Sequence, residues 1–390
     1  MRDFIRRSVK EMPPSGIRRF FNLASEMKNV LSLGVGEPDF PTPWNIREEA
    51  IYNLQQGRTV YTANAGLLSL RRELSHYVQR KYELAYDPAT QILITVGGSE
   101  AIDLALRAMV ENGDEVLIPE PSFVSYKPCA QMAGGIAVPV PLRAENDFKL
   151  TVEDLEPYLT DRTKILVFPF PGNPTGATMH RKDMEEICEL VRERDLFVIS
   201  DEIYAELTFD GRHESIAAMP GMYERTLVIN GFSKAFSMTG WRLGYACGPA
   251  WLVEQMTKIH QFAIMCAPTT SQYAAIEALR NGDKAVEEMR NEYNRRRRLV
   301  VQMLRDIGLP CGDPSGAFYV FPDISGTGLS SEDFCQQLLM QKKVAVVPGD
   351  AFGACGAGHV RISYAYSTER LKEALGRMGE FVREVSANRP

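Results

Sequence analysis

Leu196-Phe197-Val198-Ile199-Ser200-Asp201-Glu202-Ile203-Tyr204 sets a short, unbroken apolar run directly before a carboxylate and a phenol three residues apart. An apolar run without polar alternation is the pattern of a strand covered on both faces, as in a parallel sheet between helices. At the end of such a strand Asp201 and Tyr204 can face one ligand, although the same pair also reads as a helix cap beside a core tyrosine. Outward from it, short apolar runs alternate with longer helical stretches from Gln91 to Gly248, the sign of an α/β fold with a largely parallel sheet. From Asn281 the pattern turns to one long polar helix, then to a smaller α/β unit ending near Val385.

Two neighbouring stretches carry further chemistry. Phe170-Pro171-Gly172-Asn173-Pro174-Thr175-Gly176 is a turn signature following the apolar run Lys164 to Phe170. Gly231-Phe232-Ser233-Lys234-Ala235-Phe236-Ser237-Met238-Thr239-Gly240-Trp241-Arg242-Leu243-Gly244-Tyr245 sets one amine among hydroxyls and glycines, with an arginine eight residues on. That layout suits a lysine that forms an imine beside a bound phosphate. The ammonium, ordinarily near pKa ~10.4, becomes nucleophilic only when burial or nearby positive charge neutralises it. Arg242 is the candidate for that charge and for clamping the phosphate.

Asn-Pro-x-Gly, then Asp-x-x-Tyr, then Ser-Lys-x-x-Ser-x-x-Gly-x-Arg, and finally Arg361 in His359-Val360-Arg361-Ile362-Ser363-Tyr364, together resemble the class I/II aminotransferases of fold type I, enzymes dependent on pyridoxal phosphate. The resemblance covers nearly the whole chain. It implies a large domain over residues 44–285, with a mostly parallel seven-stranded sheet flanked by helices. Residues 1–43 and 286–390 would make a smaller α/β domain with an N-terminal arm, closing over substrate to expel water.

Carried over residue by residue, the resemblance implies that Lys234 forms the internal aldimine and then moves the proton of the substrate's α-carbon. Asp201 would pair with the protonated pyridine nitrogen and keep the ring an electron sink. Asn173 and Tyr204 would hydrogen-bond the ring's phenolic oxygen. Ser233 and Arg242 would hold the phosphate at the start of a helix opening Gly97-Gly98-Ser99-Glu100-Ala101, where Gly98, Ser99 and Glu100 present free backbone N–H groups. Phe123, in Pro121-Ser122-Phe123-Val124-Ser125-Tyr126, would stack on the pyridine ring. Arg361 would take the substrate's α-carboxylate in a two-pronged hydrogen bond, with backbone from Gly36. Tyr61, in Val60-Tyr61-Thr62-Ala63-Asn64-Ala65-Gly66, would reach the phosphate of the neighbouring subunit in a homodimer with shared active sites.

Two positions depart from the family pattern. Gly231 stands where many members carry a second serine, so one phosphate contact is expected to be missing. Ser99 stands where one bacterial aspartate-specialised branch has lysine, which weighs against a dedicated aspartate enzyme of that branch. Ser15-Gly16-Ile17-Arg18 and Ser315-Gly316-Ala317-Phe318-Tyr319-Val320-Phe321 look most like bacterial broad-range enzymes acting on aromatic, aspartate-like or N-acyl-diaminopimelate donors.

Size and charge fit this picture without pointing to it. The chain has 390 residues, 45% hydrophobic and 24% charged, enough for a large core and two domains. A net charge of −6 argues against a nucleic-acid surface. No apolar run approaches the ~20 residues of a membrane span, and the amino terminus has no secretory core, so a cytoplasmic location is expected. Seven scattered cysteines, none in a Cys-x-x-Cys pair, read as reduced, buried thiols, and no metal site is expected. The run Arg295 to Arg298 reads as the solvated face of the long helix, ion-paired with Glu287, Glu288 and Glu292. Met12 to Arg18 is either a lid over the substrate or an arm against the partner subunit.

The leading function is transfer of an L-amino acid's amine to a 2-oxo acid, with 2-oxoglutarate as acceptor, in a ping-pong cycle through a pyridoxamine form. A pyridoxal-phosphate C–S β-lyase of the cystathionine type shares nearly all these residues and is the alternative. A cofactor-sensing regulator would need a DNA-binding module, for which the roughly thirty residues before the resemblance are too few.

Overall fold

The computed structural model describes residues 3–14 and 27–387. After β1 (Leu31–Ser32), the chain builds its main sheet from β2 (Ile92–Thr95), β3 (Glu115–Glu120), β4 (Ile136–Pro141), β5 (Thr163–Phe168), β6 (Phe197–Asp201), β7 (Thr226–Gly231) and β8 (Gly244–Cys247). Their spatial order is β2-β8-β7-β6-β5-β3-β4, seven strands of which β8 alone runs antiparallel to its neighbours. This is the largely parallel α/β sheet expected from the alternating runs, with the seven strands that the resemblance implied. Val198, Ile199, Ser200 and Asp201 are all buried, because helices cover both faces of the central strands.

Beyond the sheet, the helices Thr269–Asn281 and Asp283–Asp306 lead to the short strands β9 (Tyr319–Val320), β10 (Val344–Ala345), β11 (Val347–Pro348) and β12 (Val360–Ser363). β12 lies between β11 and β9, antiparallel to both. β1 pairs in parallel with β10, Leu31 opposite Val344, so the early chain joins the late chain in one layer. The core there runs from Leu33 through Tyr293, Phe318, Phe334 and Tyr364 to Phe381.

The arginine run differs from its sequence reading. Arg295 and Arg296 both bond Glu292, whose carboxyl those bonds hold down at about pKa 2. Arg296 is buried, however, and grips Asp39 with both carboxylate oxygens at 2.8 and 2.9 Å. Arg297 pairs with Asp313. Glu287 and Glu288 pair instead with Arg290 and Lys284. The seven cysteines are free thiols, but Cys266, Cys311 and Cys355 are partly exposed, so only four are buried. No described helix is long and apolar enough to cross a membrane. The lid or arm expected at Met12–Arg18 runs into residues 15–18, which lie outside the described residues.

Candidate active site

The carboxyl ends of β2, β5, β6 and β7 converge on one cavity of about 300 Å³. Open α/β sheets bind ligands at this edge, because each strand end delivers its following loop to a common crevice.

β7 ends at Gly231 and hands Ser233 and Lys234 to the cavity. Lys234 Nζ donates to the carbonyl oxygen of Gly36 at 2.6 Å. Burial brings its pKa down to about 8, with the Arg361 charge as the second cause. Arg242, the source of charge expected from the sequence, contributes less than Arg361, and Glu37 and Asp201 oppose the shift.

β6 delivers Asp201 and Tyr204. The Asp201 carboxylate is buried, accepts from Tyr126 Oη at 2.7 Å and from the Ile203 N–H, and has no cationic ion-pair partner among the described residues. Burial pushes its pKa up. A buried carboxylate without a counter-ion suits a cationic ring nitrogen brought by a ligand. Tyr204 is buried beside it, its hydroxyl 2.8 Å from that of Tyr319.

The helix Gly98–Met109 starts at the cavity wall with no side-chain cap on its first turn. Gly97 takes φ +83°, a backbone conformation that side chains rarely adopt, and a Cβ there would lie 2.8 Å from Arg242 Nη2. The guanidinium therefore stands against the helix start. Gly98, Ser99, Ser233 and Arg242 line the cavity together, and they can hold a phosphate with free N–H groups, hydroxyls and a guanidinium. Glu100, expected beside the phosphate, does not line the cavity, and its carboxylate accepts from the Val96 N–H and bonds His260 Nδ1.

Gly231 does not line the cavity. It opposes Gly244 across β7 and β8, where a Cβ would meet Gly244 Cα at 3.0 Å and the Leu243 carbonyl at 3.1 Å. Gly244 is tighter still, with Gly97 C at 2.6 Å and Gly98 N at 2.7 Å from its would-be Cβ.

Arg361, on β12, is buried and pairs with no carboxylate among the described residues. Nη1 donates to Asn173 Oδ1 at 2.8 Å, Nη2 donates to the Gly34 carbonyl at 2.5 Å, and Nε is buried without a partner. The rings of Tyr319 and Phe352 hold its guanidinium at 4.5 and 4.8 Å from their centroids. A buried, uncompensated guanidinium with a spare donor is built for an incoming anion. Asn173, Gly36 and Phe123 complete the lining, Phe123 edge-on to Tyr126.

Tyr61 lies elsewhere, 79% exposed and outside the cavity. Sequence reading missed Tyr126 and Tyr319. Both stand inside quoted motifs, but nothing local says which atom they reach. Among the described residues there is no cluster of three or more His, Cys, Asp or Glu that could hold a metal ion.

The family model for aminotransferase class I and II matches residues 28–378. The aspartate aminotransferase of Pyrococcus abyssi is 49% identical, covering 95% of this chain and 96% of its own. The aromatic-amino-acid aminotransferase 2 of Thermococcus litoralis is 48% identical over the same shares. The crystal structure of the aromatic aminotransferase from Pyrococcus horikoshii superimposes with a TM-score of 0.90 at 47% identity, covering 94% of this chain and 99% of that one. The protein is therefore a member of the class I and II aminotransferases, fold type I enzymes that work with pyridoxal phosphate.

Proposed function

We propose that the enzyme moves the amine of a broad range of L-amino acids, aspartate-like and aromatic, to 2-oxoglutarate, and that one cavity serves both substrates in turn. The observation that carries this reading is Arg361, a buried guanidinium with an unpartnered Nε in the same cavity as the low-pKa amine of Lys234. An α-carboxylate on Arg361 sets the neighbouring α-carbon toward that amine.

The cofactor's fit rests on three groups of this chain. Asp201 would pair with the ring nitrogen, Phe123 would pack against the ring face, and the uncapped helix start with Ser99, Ser233 and Arg242 would hold the phosphate. Tyr204 and the Asn173 amide would donate to the ring oxygen. When bound, pyridoxal phosphate supplies an electron sink for the pair left at the substrate's α-carbon. Lys234 Nζ, whose pKa burial lowers to about 8, would take the proton from that carbon and hand it on within the same half-reaction, and in the second half would run the same transfer in reverse, delivering a proton to the acceptor's α-carbon. Arg361 and Asn173 hold the carboxylate, and the walls of Tyr319 and Phe352 exclude water from it. The donor leaves as its 2-oxo acid before the acceptor enters, because both need the same guanidinium.

We take residues 44–285 as the large domain, and residues 1–43 with 286–390 as the small one. The pairing of β1 with β10 supports that division. We also propose a homodimer in which Tyr61 completes the partner's phosphate site. Val60 and Tyr61 adjoin the turn carrying Ile264 and Met265, tied by Thr269 to the Val60 carbonyl and by Asn64 to the Met265 carbonyl, and all four are exposed. Such a surface suits burial against a second copy.

The test is a spectrum of the protein with pyridoxal phosphate, taken while L-amino acids are added one at a time without any oxo acid and released ammonia is assayed. Stoichiometric conversion of the cofactor band without ammonia supports transfer and ranks the donors. Catalytic release of ammonia and pyruvate from sulfur-containing donors would overturn it in favour of a lyase.

A further inference from the structure

Tyr319 touches three parts of the site at once. Its hydroxyl lies 2.8 Å from Tyr204 Oη, and its ring faces the Arg361 guanidinium at 4.5 Å. The same hydroxyl would stand 2.4 Å from any Cβ at Gly36, whose carbonyl accepts from Lys234. The side chain is buried and rigidly placed, since β9 pairs Tyr319 with Ser363 two residues beyond Arg361.

Proton bookkeeping sets the direction of the bond between the two phenols. A phenol has one proton to donate and lone pairs to accept with. Two hydroxyls 2.8 Å apart share one proton between them. If Tyr204 gave its proton to Tyr319, it would have none for a ligand in the cavity. If Tyr319 donates, Tyr204 accepts that bond and keeps its own proton for the cavity, and each bond in such a chain strengthens the next. Burial raises both phenols and the Arg361 charge offsets part of the rise in each; the guanidinium lies directly over the Tyr319 ring, where a cation favours the donor role for Tyr319.

We propose that Tyr319 is a positioning residue with two separable roles: its hydroxyl donates to Tyr204 so that Tyr204 can donate to the cofactor's ring oxygen, and its ring face holds Arg361 for the substrate carboxylate. This rests on the reading of Tyr204 and Arg361 given above.

Tyr319→Phe and Tyr319→Leu separate the roles. The readouts on the holoenzyme are the pH midpoint of the bound cofactor's visible absorption band, and the dissociation constants of maleate and 3-phenylpropionate, two carboxylates without an amine. Tyr319→Phe should move the midpoint upward, because a weaker donor at Tyr204 stabilises the anionic ring oxygen less, while both carboxylates bind within about twofold of wild type. Tyr319→Leu should show the same midpoint shift and also bind both carboxylates about tenfold more weakly, the scale of a buried cation–π contact. The phenylalanine variant thus restores what the leucine variant loses. An unchanged midpoint in Tyr319→Phe overturns the hydroxyl role, and equal carboxylate binding by the two variants overturns the ring role. A midpoint that does not respond to Tyr204→Phe in an otherwise wild-type chain overturns the reading of Tyr204, and the hydroxyl role with it, while leaving the carboxylate comparison to judge the ring role.

Discussion

Asn173 and Arg361 are bonded across 188 residues of chain, Oδ1 accepting from Nη1 at 2.8 Å. The bond settles which way the Asn173 amide points. Its oxygen is committed to the guanidinium, so its NH2 is the end left for a ligand. One side chain thereby links the turn after β5 to strand β12.

Asn173→Ala removes an oriented acceptor from a buried charge. Binding of α-carboxylates should weaken by about 1.5 to 3 kcal/mol, the range of a hydrogen bond to a charged group. Titration with maleate and 3-phenylpropionate checks it, and unchanged constants for both would show that Arg361 needs no such support.

Arg361→Leu should weaken every α-amino acid alike by a similar amount. It also removes the second cause of the low Lys234 pKa, a like charge that disfavours the ammonium. The midpoint of Lys234 amine reactivity in the apoenzyme should therefore rise from about 8 toward the ordinary lysine value of 10.5. At pH 8 the variant would hold less free amine than wild type, and its reaction with an amine-selective reagent would be slower. Selective loss of one substrate would instead place Arg361 at the side-chain end of the cavity.

Lys234→Ala should abolish turnover and leave the cofactor held by its phosphate and ring contacts alone. Equilibrium dialysis should still show binding, without the visible band of the wild type. A coloured, active variant would sink the assignment of Lys234.

Gly244→Ala would drive a Cβ into the backbone of Gly97 and Gly98, which has no soft side chain to yield. Overpacking of this kind costs about 1 to 3 kcal/mol, and here it displaces the uncapped helix start. Urea unfolding should show the loss, and cofactor affinity should fall with it. Undiminished cofactor binding would separate the helix start from the phosphate site.

Tyr61→Ala and Lys234→Ala should each be impaired as pure proteins. If the site is shared, dissociating and reassociating a mixture should regain activity, since a hybrid dimer has one site carrying both defects and one carrying neither. No recovery on mixing would confine the site to one chain.

Much of the site was legible because its parts are local. A continuous apolar run such as Leu196 to Ser200 reads as a buried strand, and the motifs that follow such runs carry the family resemblance, so the cavity-lining positions of Asp201, Asn173 and Lys234 were legible from short stretches together with that resemblance. Charge balance was not legible. Four successive arginines look alike in the sequence, yet Arg296 is the one buried against Asp39, because helical periodicity turns only some positions inward and packing chooses which partner they meet.

By itself the sequence determined the strand-end chemistry, the family and the residue types the reaction needs, since these depend on spacings of a few residues. Tertiary structure alone decided that Arg361 outweighs Arg242 in lowering the Lys234 pKa, that Gly231 faces Gly244 and not the cavity, and that Tyr126 and Tyr319 stand behind Asp201 and Tyr204. Those relations are distances across the fold. Burial energy, strand register and side-chain packing set them together, and none is carried by any single stretch of chain.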